Sequence, residues 1–482
     1  MNYLAAVFVT TLPLAALLLR LVFIRWRDGG PCELRLPPGS RGLPLVGETL
    51  EFFAASPTLE LPPFFKRRLE RYGPIFRTSV VGEDLIVSLD PVLNSLVLQQ
   101  EERAFQIWYP SSFMRVLGAD SVITALGPLH RHIRALMLRL FGPESLRLVL
   151  LRDVHRSARA ELRSWLGRPD VEVRTATSRI IFGVTAKKLI SHDDAASQSQ
   201  GRLWKCFDAC TRGLLAFPLC VPGTAFYGCV QGRKRVMKML SQQLGERRGA
   251  AAEREAVDFF DVVIEELDKP GSEMTENMAL DLLFLMLFAS HETTSIGLTA
   301  VLKFLTDNPK ALQELTEEHK NIQKRRADPV SDEITWEEYK SMRFTSHVIH
   351  EALRLANIAP VVFRKAKQDV QINDYTIPQG SKIMICTSAA HMNAEVYEEP
   401  SMFNPWRWRD TPETVGGSKD FMAFGGGVRL CVGADFAKLQ MAIFLHCLVT
   451  KYRWETISGG TMVFYPGLRF PDGFHIHLRQ KD

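Results

Sequence analysis

The sequence predicts a chain that is mainly α with small β-sheets (α+β), one large domain behind an N-terminal transmembrane anchor. Three observations carry this. The stretch from Thr275 to Thr306 is long and apolar, opens on a threonine, and stops at Asp307-Asn308-Pro309, as one long helix would. Strand-like pieces are few, short and bounded by turn residues. Residues 46–482 show no internal repeat, low-complexity tract or linker, so they read as one domain.

Composition narrows the function classes. Of 482 residues, 46% are hydrophobic and 23% charged, ordinary for a globular protein with a sizeable core. Lys+Arg 59 against Asp+Glu 54 gives a formal charge of +5, too balanced for nucleic acid as main partner. It suits anionic lipid or an acidic protein better. Eight cysteines are scattered without a close C-x-x-C pair, which argues against a zinc ribbon and fits a reducing compartment.

In chain order, residues 1–27 come first. No charge interrupts Met1 to Leu19, and Arg20, Arg25 and Arg27 follow the apolar run. A stretch of about 20 apolar residues spans a bilayer. Basic residues after it mark the cytoplasmic side, whereas a cleaved signal peptide would carry them before it. The reading is an uncleaved single-pass anchor with the bulk of the chain cytosolic. Residues 28–45, with Pro37-Pro38-Gly39, form a stiff hinge. "DLIVSLD" and "IMICTSA" are strand candidates. Thr335-Trp336-Glu337-Glu338 is a capping box opening a short helix. "SHVIHEALRLA" is a further helix before Pro360, and "FPDGFHIHL" a turn leading into a strand.

Two stretches carry candidate chemistry. The apolar run of the long helix contains His291, Glu292, Thr293 and Thr294, polar groups that need partners if buried. His-Glu-x-x-His would be a zinc-hydrolase helix, but Ser295 stands where the second histidine belongs. The other stretch is "FMAFGGGVRLCVGADFAK", a glycine-rich loop that delivers Cys431 just ahead of a helix. Glycine lets backbone amides approach a ligand closely. Amides and a helix start both stabilise a thiolate. Such a thiolate serves as nucleophile, redox sensor or metal ligand. No Gly-Lys-Ser/Thr follows the glycines, so a phosphate loop is disfavoured.

Phe424, Gly427, Arg429, Cys431 and Gly433 match F-x-x-G-x-R-x-C-x-G. This resembles the haem-binding loop of the cytochrome P-450 family. The resemblance implies that Cys431 is the axial thiolate ligand of the iron of haem b. Glu351-Ala352-Leu353-Arg354 matches the family's E-x-x-R, and the segment Phe403 to Trp408 resembles the one whose arginine, here Arg407, completes that ion-pair network. Gly127, His130, Arg131 and Arg134 resemble the helix that carries Trp-x-x-x-Arg. His130 stands for the tryptophan, and either side chain can donate to a haem propionate. The same resemblance places Arg364 and Arg429 among the cofactor contacts.

Ala289-Ser290-His291-Glu292-Thr293-Thr294 resembles the family's A/G-G-x-D/E-T-T on the helix over the oxygen-binding face, with Ser290 in the glycine's place. Ala289 and Thr293, four apart, share a helix face. The resemblance implies that Thr293 hydrogen-bonds dioxygen and that Glu292 relays protons. The competing reading has Thr293 bonding back to a carbonyl one turn earlier and Glu292 in a structural ion pair. His291 points about 200° away from Thr293 around the axis, toward packing.

The resemblance covers the whole chain and implies a monooxygenase, inserting one atom of O2 into a C–H bond while the other leaves as water. Membrane-anchored members draw electrons from NADPH through NADPH-cytochrome P-450 reductase, and this chain has no G-x-G-x-x-G loop of its own. Arg131 and Lys438 are candidates for the reductase-docking face. An endoplasmic reticulum location follows from the same likeness. Trp108, Phe113, Phe284, Phe288, Val361, Val362 and Leu468 are candidate walls of a pocket for a lipophilic substrate. "LPPGSRGLPLVGETLEF" and "NIAPVVFRKA" resemble plant members acting on sterols and triterpenoids. Two rivals stay open: a thiolate-haem isomerase rearranging hydroperoxides, and a non-catalytic haem-binding protein.

Overall fold

The computed structural model describes residues 35–44, 46–118, 121–192, 202–214, 216–249, 258–326, 333–410 and 418–481. The anchor expected over residues 1–27 and the first part of the hinge, 28–34, lie outside the described residues. Among the described residues nine helices reach thirteen residues or more: α1 (Gly127–Phe141), α2 (Leu151–Trp165), α3 (Val173–Ile190), α4 (Arg202–Leu214), α5 (Ala225–Gly249), α6 (Glu276–Asp307), α7 (Pro309–Lys324), α8 (Arg343–Ala356) and α9 (Ala434–Lys451).

The strands form small sheets. The largest joins β1 (Ile75–Val80), β2 (Glu83–Ser88), β3 (Phe105–Ile107), β5 (Val361–Ala366) and β8 (Lys382–Cys386) in the order β1-β2-β8-β5-β3. Its β2–β8 pair is parallel and the others antiparallel. A second sheet runs β4 (Val171–Glu172), β12 (Phe474–Gln480), β9 (Tyr452–Gly459); two-stranded ribbons pair β6 (Val370–Ile372) with β7 (Tyr375–Ile377) and β10 (Val463–Tyr465) with β11 (Gly467–Arg469).

The long helix α6 organises the core. The Thr275 hydroxyl caps it by accepting from the Met278 N–H at 3.2 Å, and Pro309 follows its end because proline cannot continue the ladder. At 32 residues it spans about 48 Å, with α3, α5 and α8 packed along it. Among the described residues it is the one helix long and apolar enough to cross a membrane, yet most of it is buried in protein. A helix apolar on all sides is the core helix of a large domain.

The other elements fall near their sequence signals. The capping box at Thr335 forms, with Glu338 bonding back to the Thr335 N–H at 2.7 Å. The "IMICTSA" candidate is strand only to Cys386; Thr387–His391 turns into a short helix, because Thr387 is drawn into bonds with Asn357 and the Ala359 carbonyl.

Candidate active site

The middle of α6 shows an unusual exposure pattern. Ala289 and Thr293 are exposed, while His291, Glu292, Thr294 and Ser295 around them are buried. Two residues four apart on a core helix are open only if they face a recess. The Thr293 hydroxyl donates to the Ala289 carbonyl at 2.9 Å, so its oxygen lone pairs remain toward the recess. Ser290, in the position expected for glycine, donates its hydroxyl to the Leu287 carbonyl at 3.2 Å. The extra oxygen is thereby folded onto the helix.

His291 is enclosed by Phe182, Phe207 and Phe288. Its Nδ1 lies 2.9 Å from the Leu287 carbonyl; a carbonyl only accepts, so Nδ1 carries the hydrogen. Burial pushes its pKa down to about 4, which keeps the ring neutral. It packs away from the Thr293 face.

Glu292 is buried and accepts from Arg174 Nη1 of α3 at 2.9 Å. Arg174 also reaches Asp208 of α4 at 3.8 Å, and Asp208 pairs with the exposed Arg212. Glu292 Oε2 is buried without a partner. Burial raises its pKa and Arg174 opposes that rise. Such a carboxyl holds a proton more readily than a solvated one. A row of charged groups thus leads from the exposed Arg212 to the residue beside Thr293. Nothing local in the sequence pointed to Arg174 or Asp208, because they come from helices far away in the chain.

The cysteine loop is a tight structure ahead of α9. The Cys431 N–H donates to the Phe424 carbonyl at 3.0 Å and the Leu430 N–H to the Gly427 carbonyl at 3.1 Å. Gly427 has φ +64°, and a Cβ there would meet the Leu98 carbonyl oxygen at 2.1 Å, so only glycine fits. A Cβ on Gly433 would come 4.0 Å from Cys431 Sγ, leaving the sulfur uncrowded. Cys431 is exposed, yet protein surrounds it closely enough that desolvation raises its thiol, against the Gly433 backbone and Arg134, which favour the thiolate. Exposed and desolvated together mean a sulfur on the wall of an internal recess.

Cationic groups gather beside this sulfur. Arg134 Nη1 donates to the Leu430 carbonyl at 2.6 Å. Arg429 donates to the Ile123 and Ala125 carbonyls at 2.9 and 2.5 Å. Buried His130 is kept neutral first by burial and then by Arg429, both of which lower its pKa. Arg364 of β5 and Arg429 both meet Glu101, a buried carboxylate that no motif singled out.

Behind the loop lies the ion-pair network. Glu351 and Arg354 are fully buried on α8 and joined at 2.8 and 3.0 Å. Glu351 also accepts from Arg407 at 3.1 Å, the Trp408 indole at 3.0 Å and the Asn404 N–H at 3.0 Å. Arg354 extends to the His391 carbonyl at 2.6 Å. His391 in turn accepts at Nε2 from the Met422 N–H at 2.9 Å. The network therefore reaches the base of the cysteine loop.

The candidate pocket walls divide. Phe113, Phe288, Val361, Val362 and Trp108 are half-buried, whereas Phe284 and Leu468 are buried in the main core. Phe284 packs against Phe207 and beneath the Arg233 guanidinium. Trp108 lies against Phe363 of the five-stranded sheet, with Lys382 over its ring. Arg131 is exposed, 3.9 Å from Glu102, and Lys438 pairs with Asp435 at 2.9 Å.

Residues 37–466 match the family model described as Cytochrome P450. The chain belongs to the cytochrome P450 family. It is 53% identical to cytochrome P450 87A3 of Oryza sativa subsp. japonica, over 93% of this chain and 87% of that one. It is 39% identical to cucurbitadienol 11-hydroxylase of Siraitia grosvenorii (95% and 96% covered) and 37% to steroid (22S)-hydroxylase of Oryza sativa subsp. indica (94% and 91%). The solved retinoic acid-bound cyanobacterial CYP120A1 superposes with a TM-score of 0.81 at 26% identity, over 93% of this chain and all of that one. A P450 is a haem-iron monooxygenase. The residues present fit that group: an uncrowded thiol, an open Ala289–Thr293 strip, and a cationic edge.

Proposed function

We propose that this P450 hydroxylates a triterpenoid or sterol skeleton, using O2 and electrons from NADPH delivered by NADPH-cytochrome P-450 reductase. The observation that carries it is the open Ala289–Thr293 strip on an otherwise buried helix, together with a desolvated, open Cys431. The skeleton is supported by the activities that name its relatives, cucurbitadienol 11-hydroxylase and steroid (22S)-hydroxylase, and by the apolar, half-buried residues Phe113, Phe288 and Val361. Residues 1–27 would anchor the chain in the endoplasmic reticulum membrane, with residues 28–45 as hinge and 46–482 as the cytosolic haem domain.

Cys431 would hold the iron, and Arg134, His130, Arg364 and Arg429 the propionate edge, with Phe424, Gly427 and Gly433 shaping the loop. When bound, the haem supplies dioxygen activation, which its thiolate ligand favours. The protein supplies position and protons. Glu292, held by Arg174, would take up a proton that comes from solvent and hand it toward Thr293. Thr293 would accept that proton at its Oγ1 as its own hydroxyl proton leaves toward the recess. The back-bond to Ala289 and the Glu292 ion pair are the resting arrangement from which both groups turn. Arg131 and Lys438 would lie on the reductase face.

Co-expression with a plant reductase and a panel of sterols and triterpenes, with products identified by mass, tests the substrate class. NADPH-dependent gain of one oxygen is expected; turnover of hydroperoxides without NADPH would favour the isomerase instead. Thr293→Ala is expected to lower product per NADPH about a hundredfold and release hydrogen peroxide in its place. Undiminished coupling would remove Thr293 from proton delivery.

A further inference from the structure

Glu101 follows the helix Pro91–Gln99, which packs under the cysteine loop, its Leu98 carbonyl fitted against Gly427. Its side chain is 0% exposed. One oxygen meets Arg429 Nε, two residues before Cys431, and the other lies 2.9 Å from Arg364 Nε on β5. The Arg364 contact is an ion pair without hydrogen-bond alignment, since both atoms lack a hydrogen-bond partner. A buried carboxylate between two guanidiniums is costly unless the geometry is over-determined. Here Arg429 is over-determined, with carbonyl acceptors on both terminal nitrogens.

The charges around it can be followed element by element. Arg364, Arg429 and Arg134 bring three positive charges to this edge of the recess. His130 is held neutral, and burial raises the Tyr109 phenol, so it too is neutral. Glu102 faces Arg131 at 3.9 Å and the Gly127 N–H at 2.7 Å, so that pair cancels. Asp435, which acts on Cys431, is paired with Lys438 at 2.9 Å, so among the described residues Glu101 is the negative group left between the guanidiniums. Three guanidiniums against one carboxylate leave two positive charges, which the two propionates of a haem would match.

We propose that Glu101 is a positioning residue of the cofactor site: it clamps Arg429 to Arg364 and sets the net charge that the porphyrin carboxylates meet. This rests on the haem reading above. Adding an electron to the cofactor adds negative charge, so losing a buried negative neighbour favours the reduced form.

The test is the reduction potential of the holoprotein, by dye-coupled titration. Glu101→Gln is expected to shift the potential upward, and Glu101→Asp, which keeps the charge, to leave it near wild type. Arg364→Gln removes a positive charge and should shift it downward. The double variant E101Q/R364Q restores the net charge and should return it toward wild type. This last pair of measurements stands even if Glu101→Gln alone does not fold. An unmoved potential in Glu101→Gln, or a double variant that stays with Arg364→Gln, overturns the proposal. A wild type lacking the red-shifted Soret band of its reduced carbon monoxide complex overturns the haem reading and this proposal together. The band with an unresponsive potential overturns Glu101 alone.

Discussion

Cys431→Ala is expected to abolish the red-shifted Soret band of the reduced carbon monoxide complex and to lower turnover at least about a thousandfold, ~4 kcal/mol of barrier. The physical reason is local. Sγ is the atom that the loop presents: the Cys431 N–H is spent on Phe424, Gly433 leaves the sulfur uncrowded, and Arg134 holds the neighbouring carbonyl. Alanine keeps the Cβ and every one of those backbone bonds, so the fold should survive. The loss should therefore be of the ligand alone. Difference spectroscopy beside far-UV circular dichroism separates the two. Persistence of the band in Cys431→Ala would remove this residue as the ligand.

Glu351→Ala should have the largest effect on stability. It leaves Arg354 buried with an unpaired charge, and strands Arg407, the Trp408 indole and the Asn404 N–H without their acceptor. Breaking a buried pair by removing one partner costs ~3–5 kcal/mol, against a native margin of about 5–15 kcal/mol. Because Arg354 also holds the His391 carbonyl, and His391 the Met422 N–H, the damage should spread to the cysteine loop. The expected result is little haem-loaded protein and a lowered denaturation midpoint. Glu351→Gln, which keeps an acceptor, should lose less. An unfolding free energy within about 1 kcal/mol of wild type in Glu351→Ala would show that the network does not support the domain.

The local part of the site was legible in the sequence. The motif around Cys431 gave the loop because its glycines answer a local demand, seen at Gly427, where any side chain would strike Leu98. The E-x-x-R pair was legible because three residues on one helix turn bring Glu351 and Arg354 together. Helix geometry likewise put Ala289 and Thr293 on one face and His291 on another. The pocket walls were less so: Phe284 and Leu468 are apolar either way, and pattern alone does not tell a wall from the core behind it.

Short-range geometry made legible the long helix with its caps, the glycine-rich cysteine loop and the shared face of Glu351 and Arg354, while the resemblance of these motifs marked the P450 family. Only the tertiary structure decided who partners the buried charges. Arg174 comes to Glu292 from another helix, and Glu101 comes to Arg364 and Arg429 from before β3. A polar residue bound for burial carries no periodic signature of its partner, since that partner is chosen by packing between distant segments. Burial then turns such pairs into strong constraints, because an unpaired charge in the interior costs a large share of the fold's stability.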